Sequence, residues 1–124
     1  MTIQECYQQL GGDYSQVLTR LPSAKLVRRF IAMFLNDESY GQLSRAMQDG
    51  QLKDAFRAAH TLKGVCANLS FTRLFTSSSA LTELLRPEAP RIPDGADLLM
   101  EQVRQDYEET VHAIRAYLDS EEAL

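Results

Sequence analysis

Apolar residues in this chain recur at intervals of three and four, and that spacing constrains its fold more than any other feature. Leu26, Phe30, Met33 and Phe34 form one such run, and Leu52, Ala55, Ala59, Leu62, Cys66 and Leu69 a second. A third runs through Leu99, Val103, Tyr107, Val111, Ile114 and Leu118. A helix turns about 100° per residue, so each set lines one side of a helix. No long apolar–polar alternation of the kind a half-buried strand needs interrupts them. Breaks fall at Gly11-Gly12, Pro22, Gly41, Asp49-Gly50, and Pro87, Pro90, Pro93 and Gly95, where turn chemistry is concentrated. The pattern predicts helices over 2–10, 14–20, 23–36, 39–48, 51–68, 71–86 and 95–119. Arg86 to Gly95 is the clear loop, because its closely spaced prolines cannot continue a helix. Short joints favour antiparallel neighbours. The expected fold class is therefore all-α: an antiparallel four-helix bundle over 23–119, with extra short N-terminal helices over 1–20 acting as a cap or lid.

At 124 residues the chain is sized for a single domain, expected over 1–124. Its 44% hydrophobic and 24% charged residues suit a soluble globular protein rather than a disordered one. The N-terminus lacks a basic start followed by an apolar run, and no stretch approaches the roughly 18 apolar residues of a membrane span. The cytoplasm is the default location and no membrane partner is expected. A net charge of −4 argues against nonspecific binding to nucleic acid, which needs a net basic face. Cys6 and Cys66 lie far apart without close Cys or His companions, which gives neither a zinc spacing nor a disulfide framework. Cys66 falls on the apolar side of its helix and reads as packing; Cys6 acquires no role. Neither Gly-x-Gly-x-x-Gly nor Gly-x-x-x-x-Gly-Lys is present, so nucleotide use is not expected.

The segment Ala58-Ala59-His60-Thr61-Leu62-Lys63-Gly64-Val65-Cys66-Ala67-Asn68-Leu69 stands apart. On a helix, the apolar set from Leu52 to Leu69 occupies an arc of about 100° centred about 130° from His60. Lys53, Arg57, Lys63, Gly64 and Ala67 surround the histidine, with Phe56 at the margin. His60 is thus expected to face solvent. Gly64, one turn on, costs about 1 kcal/mol of helix stability relative to alanine. With the small Ala67 it clears a depression beside the imidazole, and Lys63 is placed to reach an anion held there. A free imidazole, with its ordinary pKa of about 6.5, is largely neutral at pH 7 and offers a nucleophilic lone pair. Nucleophile, neutralising ammonium and open approach are what reversible phosphoryl transfer requires. General-base hydrolysis fits less well, since no acidic residue on the helix is placed to orient the ring. An exposed histidine on a basic helix is most often plain surface, and Gly64 is what separates this one. His112 lies off the apolar stripe of its helix with no such neighbours and reads as surface. A bundle binding metal or haem would need inward histidines or carboxylates, which this pattern does not supply; no metal site is expected.

The sequence His-x-Leu-Lys-Gly in Ala59–Leu69, followed by the small residues of Val-Cys-Ala-Asn-Leu, resembles the signature of the histidine phosphotransfer (HPt) domain of multistep phosphorelays. The likeness extends loosely over about 23–118. It implies that His60 is the phosphoacceptor, that Lys63 interacts with the phosphoryl group and that Gly64 opens the approach. Two positions depart from the family pattern: Ser70 stands where glycine is frequent, and Thr82 where some members carry glutamine. The Thr82 hydroxyl is a candidate phosphoryl contact of shorter reach. The implied partners are receiver domains of response regulators or hybrid histidine kinases, which carry acidic residues around their aspartate and supply the Mg2+. The basic residues Lys53 and Arg57, with Arg45, would orient such a partner, Phe56 would supply an apolar anchor and Ala67 clearance. The chain is then expected to be a free-standing, monomeric phosphocarrier with no cofactor and no kinase activity of its own. The alternative is an adaptor that binds receivers without being phosphorylated.

Overall fold

The structure, a computed structural model, describes residues 1–120; the last four positions of the expected 1–124 domain lie outside the described residues. Among the described residues seven helices follow one another: α1 (Ile3–Leu10), α2 (Tyr14–Arg20), α3 (Ala24–Phe34), α4 (Ser39–Gln48), α5 (Leu52–Leu69), α6 (Thr72–Leu84) and α7 (Ala96–Leu118). Each begins and ends within two residues of the range the sequence predicts. Local chemistry explains the starts of the first three. Thr2 accepts from the Glu5 amide while Glu5 accepts from the Thr2 amide, a capping box. Asp13 accepts from the Gln16 amide and Ser23 from the Leu26 amide. At the starts of α4 to α7 the N-cap residue itself makes no side-chain hydrogen bond, although Asp37 accepts from the Ser39 amide at 2.9 Å, and the positions of these helices rest mainly on packing.

The bundle forms from α4, α5, α6 and α7, each packed against the next in chain order. The joint from α4 to α5 turns through Gly50 at φ 68, with the Gln51 amide returning to the Ala46 carbonyl at 2.9 Å. Leu43, Leu62, Leu74, Leu81, Val103 and Ile114 are fully buried between these helices. Across one side lies α3, which sets Phe34 edge-on against Phe71 at 5.1 Å between ring centroids.

Two expectations about faces are corrected. The buried side of α3 is Val27, Ile31 and Phe34; Phe30 and Met33 are 39% and 56% exposed. On α7 the buried side includes Asp106 and Thr110 beside Val103, Ala113, Ile114 and Tyr117, whereas Leu99, Tyr107, Val111 and Leu118 are only partly covered. These polar groups are satisfied locally: Gln102 donates to the Asp106 carboxylate at 3.0 Å and the Thr110 hydroxyl to the Asp106 carbonyl at 2.7 Å. The short α1 is packed in along its length. It buries Ile3, Cys6, Tyr7 and Leu10 and runs antiparallel along α7, with Cys6 against the Ala113 carbonyl and Ser120 against that of Met1.

Candidate functional site

The site is built on α5, whose 18 residues divide as the helical geometry requires. Leu52, Ala55, Ala58, Ala59, Leu62, Cys66 and Leu69 are buried, while Lys53, Arg57, His60, Gly64 and Ala67 are exposed. His60 therefore presents its imidazole outward from the middle of a helix anchored along its whole opposite side. A Cβ added at Gly64 would meet no atom within 4 Å. Neither a positive φ nor a close helix approach calls for glycine here, so what the residue provides is open space on the His60 side. Lys63, one turn from His60, is half-buried. Phe56 lies one turn before the histidine with its ring nearly parallel to the imidazole, the centroids 6.0 Å apart.

One further element closes on this face. At the end of α6, the Arg86 guanidinium lies 5.8 Å from the centroid of the Phe56 ring and is paired with Glu83 at 2.9 Å. The Arg86 hydrogen bond and charge, with a smaller contribution from Lys63, hold the Glu83 carboxyl below the usual carboxylate range. Glu83 and Arg86 thus bring a charged pair to the rim occupied by Lys63 and Phe56. The residue of α6 expected from the sequence as a phosphoryl contact, Thr82, is buried. Thr82 is 1% exposed and its hydroxyl donates to the Ser78 carbonyl at 2.7 Å, so its proton is engaged within α6. The charged groups seen at the rim are Glu83, in the last turn of α6, and Arg86, just past its end.

Of the expected docking residues, Lys53, Arg57 and Ala67 are exposed and Phe56 is partly buried. Lys53 and Arg57 lie on the N-terminal half of α5, Arg57 within 3.9 Å of Asp54, and Arg45 and Arg57 line one groove between α4 and α5. A second, apolar groove runs along the C-terminal half of α5, lined by Phe30, Met33, Val65 and Asn68. The sequence pattern had placed Phe30 and Met33 on a core stripe, and nothing in their spacing alone distinguishes the two. His112 is exposed on α7. Both thiols are buried, and burial pushes that of Cys6 up to about 12 and that of Cys66 further in the same direction. Among the described residues no group of three His, Cys, Asp or Glu side chains is arranged to hold a metal ion, and no helix is long and apolar enough to cross a membrane.

An outward histidine on a rigid helix, a lysine one turn on and cleared space beside the ring can accept a group delivered by another macromolecule. A neighbouring substrate pocket is not needed, because the donor brings the leaving group. The model of the family described as Hpt domain matches residues 29–118, more than half of the chain. No curated protein and no solved structure matches it. With the matched span containing all four helices of the bundle and the whole of the His60 face of α5, the chain belongs to the Hpt domain family, the phosphotransfer carriers of phosphorelay signalling.

Proposed function

We propose that the protein is a phosphorelay intermediate that accepts a phosphoryl group on His60 from the phospho-aspartate of one receiver domain and passes it to another. The observation that carries this reading is the open surface at Gly64 beside an exposed imidazole on a helix buried along its other side. In the forward step a ring nitrogen of neutral His60 attacks phosphorus, the N–P bond forms as the P–O bond to aspartate breaks, and aspartate leaves as carboxylate. The other ring nitrogen keeps its proton until solvent removes it. Lys63 neutralises charge on the phosphoryl oxygens, and the Mg2+ belongs to the receiver. The same reading places the protein in the cytoplasm as a monomer without kinase activity.

A receiver would meet Lys53, Arg57 and Phe56 on one side of His60 and Ala67 on the other. The exposed Phe30 and Met33 extend the apolar part of that surface beyond α5. Such a partner needs an acidic rim around an apolar face to be complementary.

The test is a three-component relay. A panel of receivers labelled with phosphate on aspartate is mixed with the protein, which is then separated and offered to a second, unlabelled receiver. Label should appear on the protein as acid-labile and base-stable, then move onward. Receivers that bind the protein while leaving it unlabelled would favour the adaptor reading instead.

A further inference from the structure

The segment that precedes the family match is built onto one end of the phosphotransfer helix. An α-helix leaves its last four carbonyls without partners in the helix, and at the end of α5 each has one. The chain turns there through Ser70 at φ 55, a left-handed conformation at a residue other than glycine. The Phe71 amide donates to the Cys66 carbonyl at 3.0 Å and the Ser70 amide to that of Ala67 at 3.3 Å, a Schellman turn. Everything else comes from residues 7–20. The Tyr7 hydroxyl donates to the Leu69 carbonyl at 2.8 Å, and the Asp13 amide to that of Ser70 at 2.9 Å. Arg20 donates Nε–H to the Asn68 carbonyl and Nη2–H to the Ala67 carbonyl, each at 3.0 Å, and Nη2 also to the Ser70 hydroxyl. Gly12 permits the approach: a Cβ there would come within 2.7 Å of the Ser70 carbonyl oxygen.

Serine in the left-handed region carries a steric cost that glycine avoids. A planar guanidinium spanning three acceptors of that turn offsets it, and its charge complements the negative end of the helix. We propose that Arg20 is a positioning residue for phosphotransfer, holding Ser70 in its left-handed turn and so fixing the last turn of α5, with Ala67 and Asn68, where the partner lands. The functional half of this proposal rests on the phosphotransfer reading; the capping half rests on the hydrogen bonds alone. Because Ala67 and Asn68 belong to the landing surface rather than to the reacting atoms, Arg20 governs recognition of the donor more than the chemical step.

The experiment compares wild type, Arg20→Ala, Arg20→Lys, Ser70→Gly and the double variant Arg20→Ala/Ser70→Gly. Transfer from one phosphorylated receiver is followed over a range of protein concentrations, together with amide hydrogen exchange at residues 66–71. Arg20→Ala should raise the half-maximal concentration about fivefold, the equivalent of about 1 kcal/mol, with the maximal rate within about twofold and faster exchange at Ser70 and Phe71. Arg20→Lys keeps the charge without the fork and should resemble Arg20→Ala. Glycine holds the turn unaided, so the double variant should return both readings to within about twofold of wild type. The proposal is overturned if Arg20→Lys behaves as wild type, which would make the effect one of charge alone. It is equally overturned if Ser70→Gly brings no recovery, or if Arg20→Ala changes nothing. Wild-type protein that takes no label would overturn the phosphotransfer reading and the functional half with it, while exchange at residues 66–71 would still decide the capping half.

Discussion

In the proposed phosphotransfer, Gly64 is the residue at which structure and function make opposite demands. Alanine there should raise helix stability by up to about 1 kcal/mol, since the site is exposed and a Cβ meets nothing. Glutamine should leave the fold intact and place a side chain one turn from the imidazole, across the approach of an aspartyl phosphate. Thermal unfolding and transfer rate, measured for wild type, Gly64→Ala and Gly64→Gln, should therefore separate: stability is held or raised while rate falls with side-chain size. Equal rates in all three would show that the open space has no part in transfer. His60, Lys63 and Gly64 were legible in the sequence because their relation is internal to one helix and follows from its pitch. The side that α6 shows to α5, and with it the burial of Thr82, depends on how the two helices cross. The Thr/Ser-rich run from Thr72 to Ser79 gives α6 no strong apolar phase from which to read it. Arg86 and Glu83 were missed for the same reason.

Helix boundaries were legible because they are written locally, in glycines, prolines and the capping residues Thr2, Asp13 and Ser23. Helix faces were legible only where one side is apolar and the other is not. α5 meets that condition. α3 has apolar residues on more than one side, and only its neighbours decide that Val27, Ile31 and Phe34 go inward while Phe30 and Met33 stay out. On α7, burial of Asp106 and Thr110 depends on hydrogen bonds that no apolar pattern reveals. The outward pair on α3 carries its own prediction. Phe30→Ser and Met33→Ser remove surface apolar groups, so unfolding free energy should change by no more than about 0.5 kcal/mol. Transfer from a receiver should require a higher protein concentration in each. A large loss of stability with unchanged transfer would return both residues to the core.

For the molecule as a whole, the buried thiols and Tyr7 give stability a pH dependence at the alkaline end. Burial raises the Cys6 thiol from 9.0 to about 12, and raises Cys66 and Tyr7 as well. A raised pKa means that the folded protein holds these protons more tightly than the unfolded chain. Their contribution is intact below the unfolded value and is lost as pH rises through the folded one. Unfolding free energy from denaturant titration should accordingly fall as pH is raised from about 9 towards 12. No decline in that window would mean that these groups are reached by solvent. The phosphocarrier account makes a separate demand: chemistry and fold must part at His60, because the residue does its work outside a core that does not need it. The most direct measurement is single-turnover transfer from a phosphorylated receiver to wild type and to His60→Gln, beside their thermal unfolding curves. The account predicts acid-labile, base-stable label on wild type, none on His60→Gln, and matching unfolding curves. Label retained on His60→Gln would contradict it.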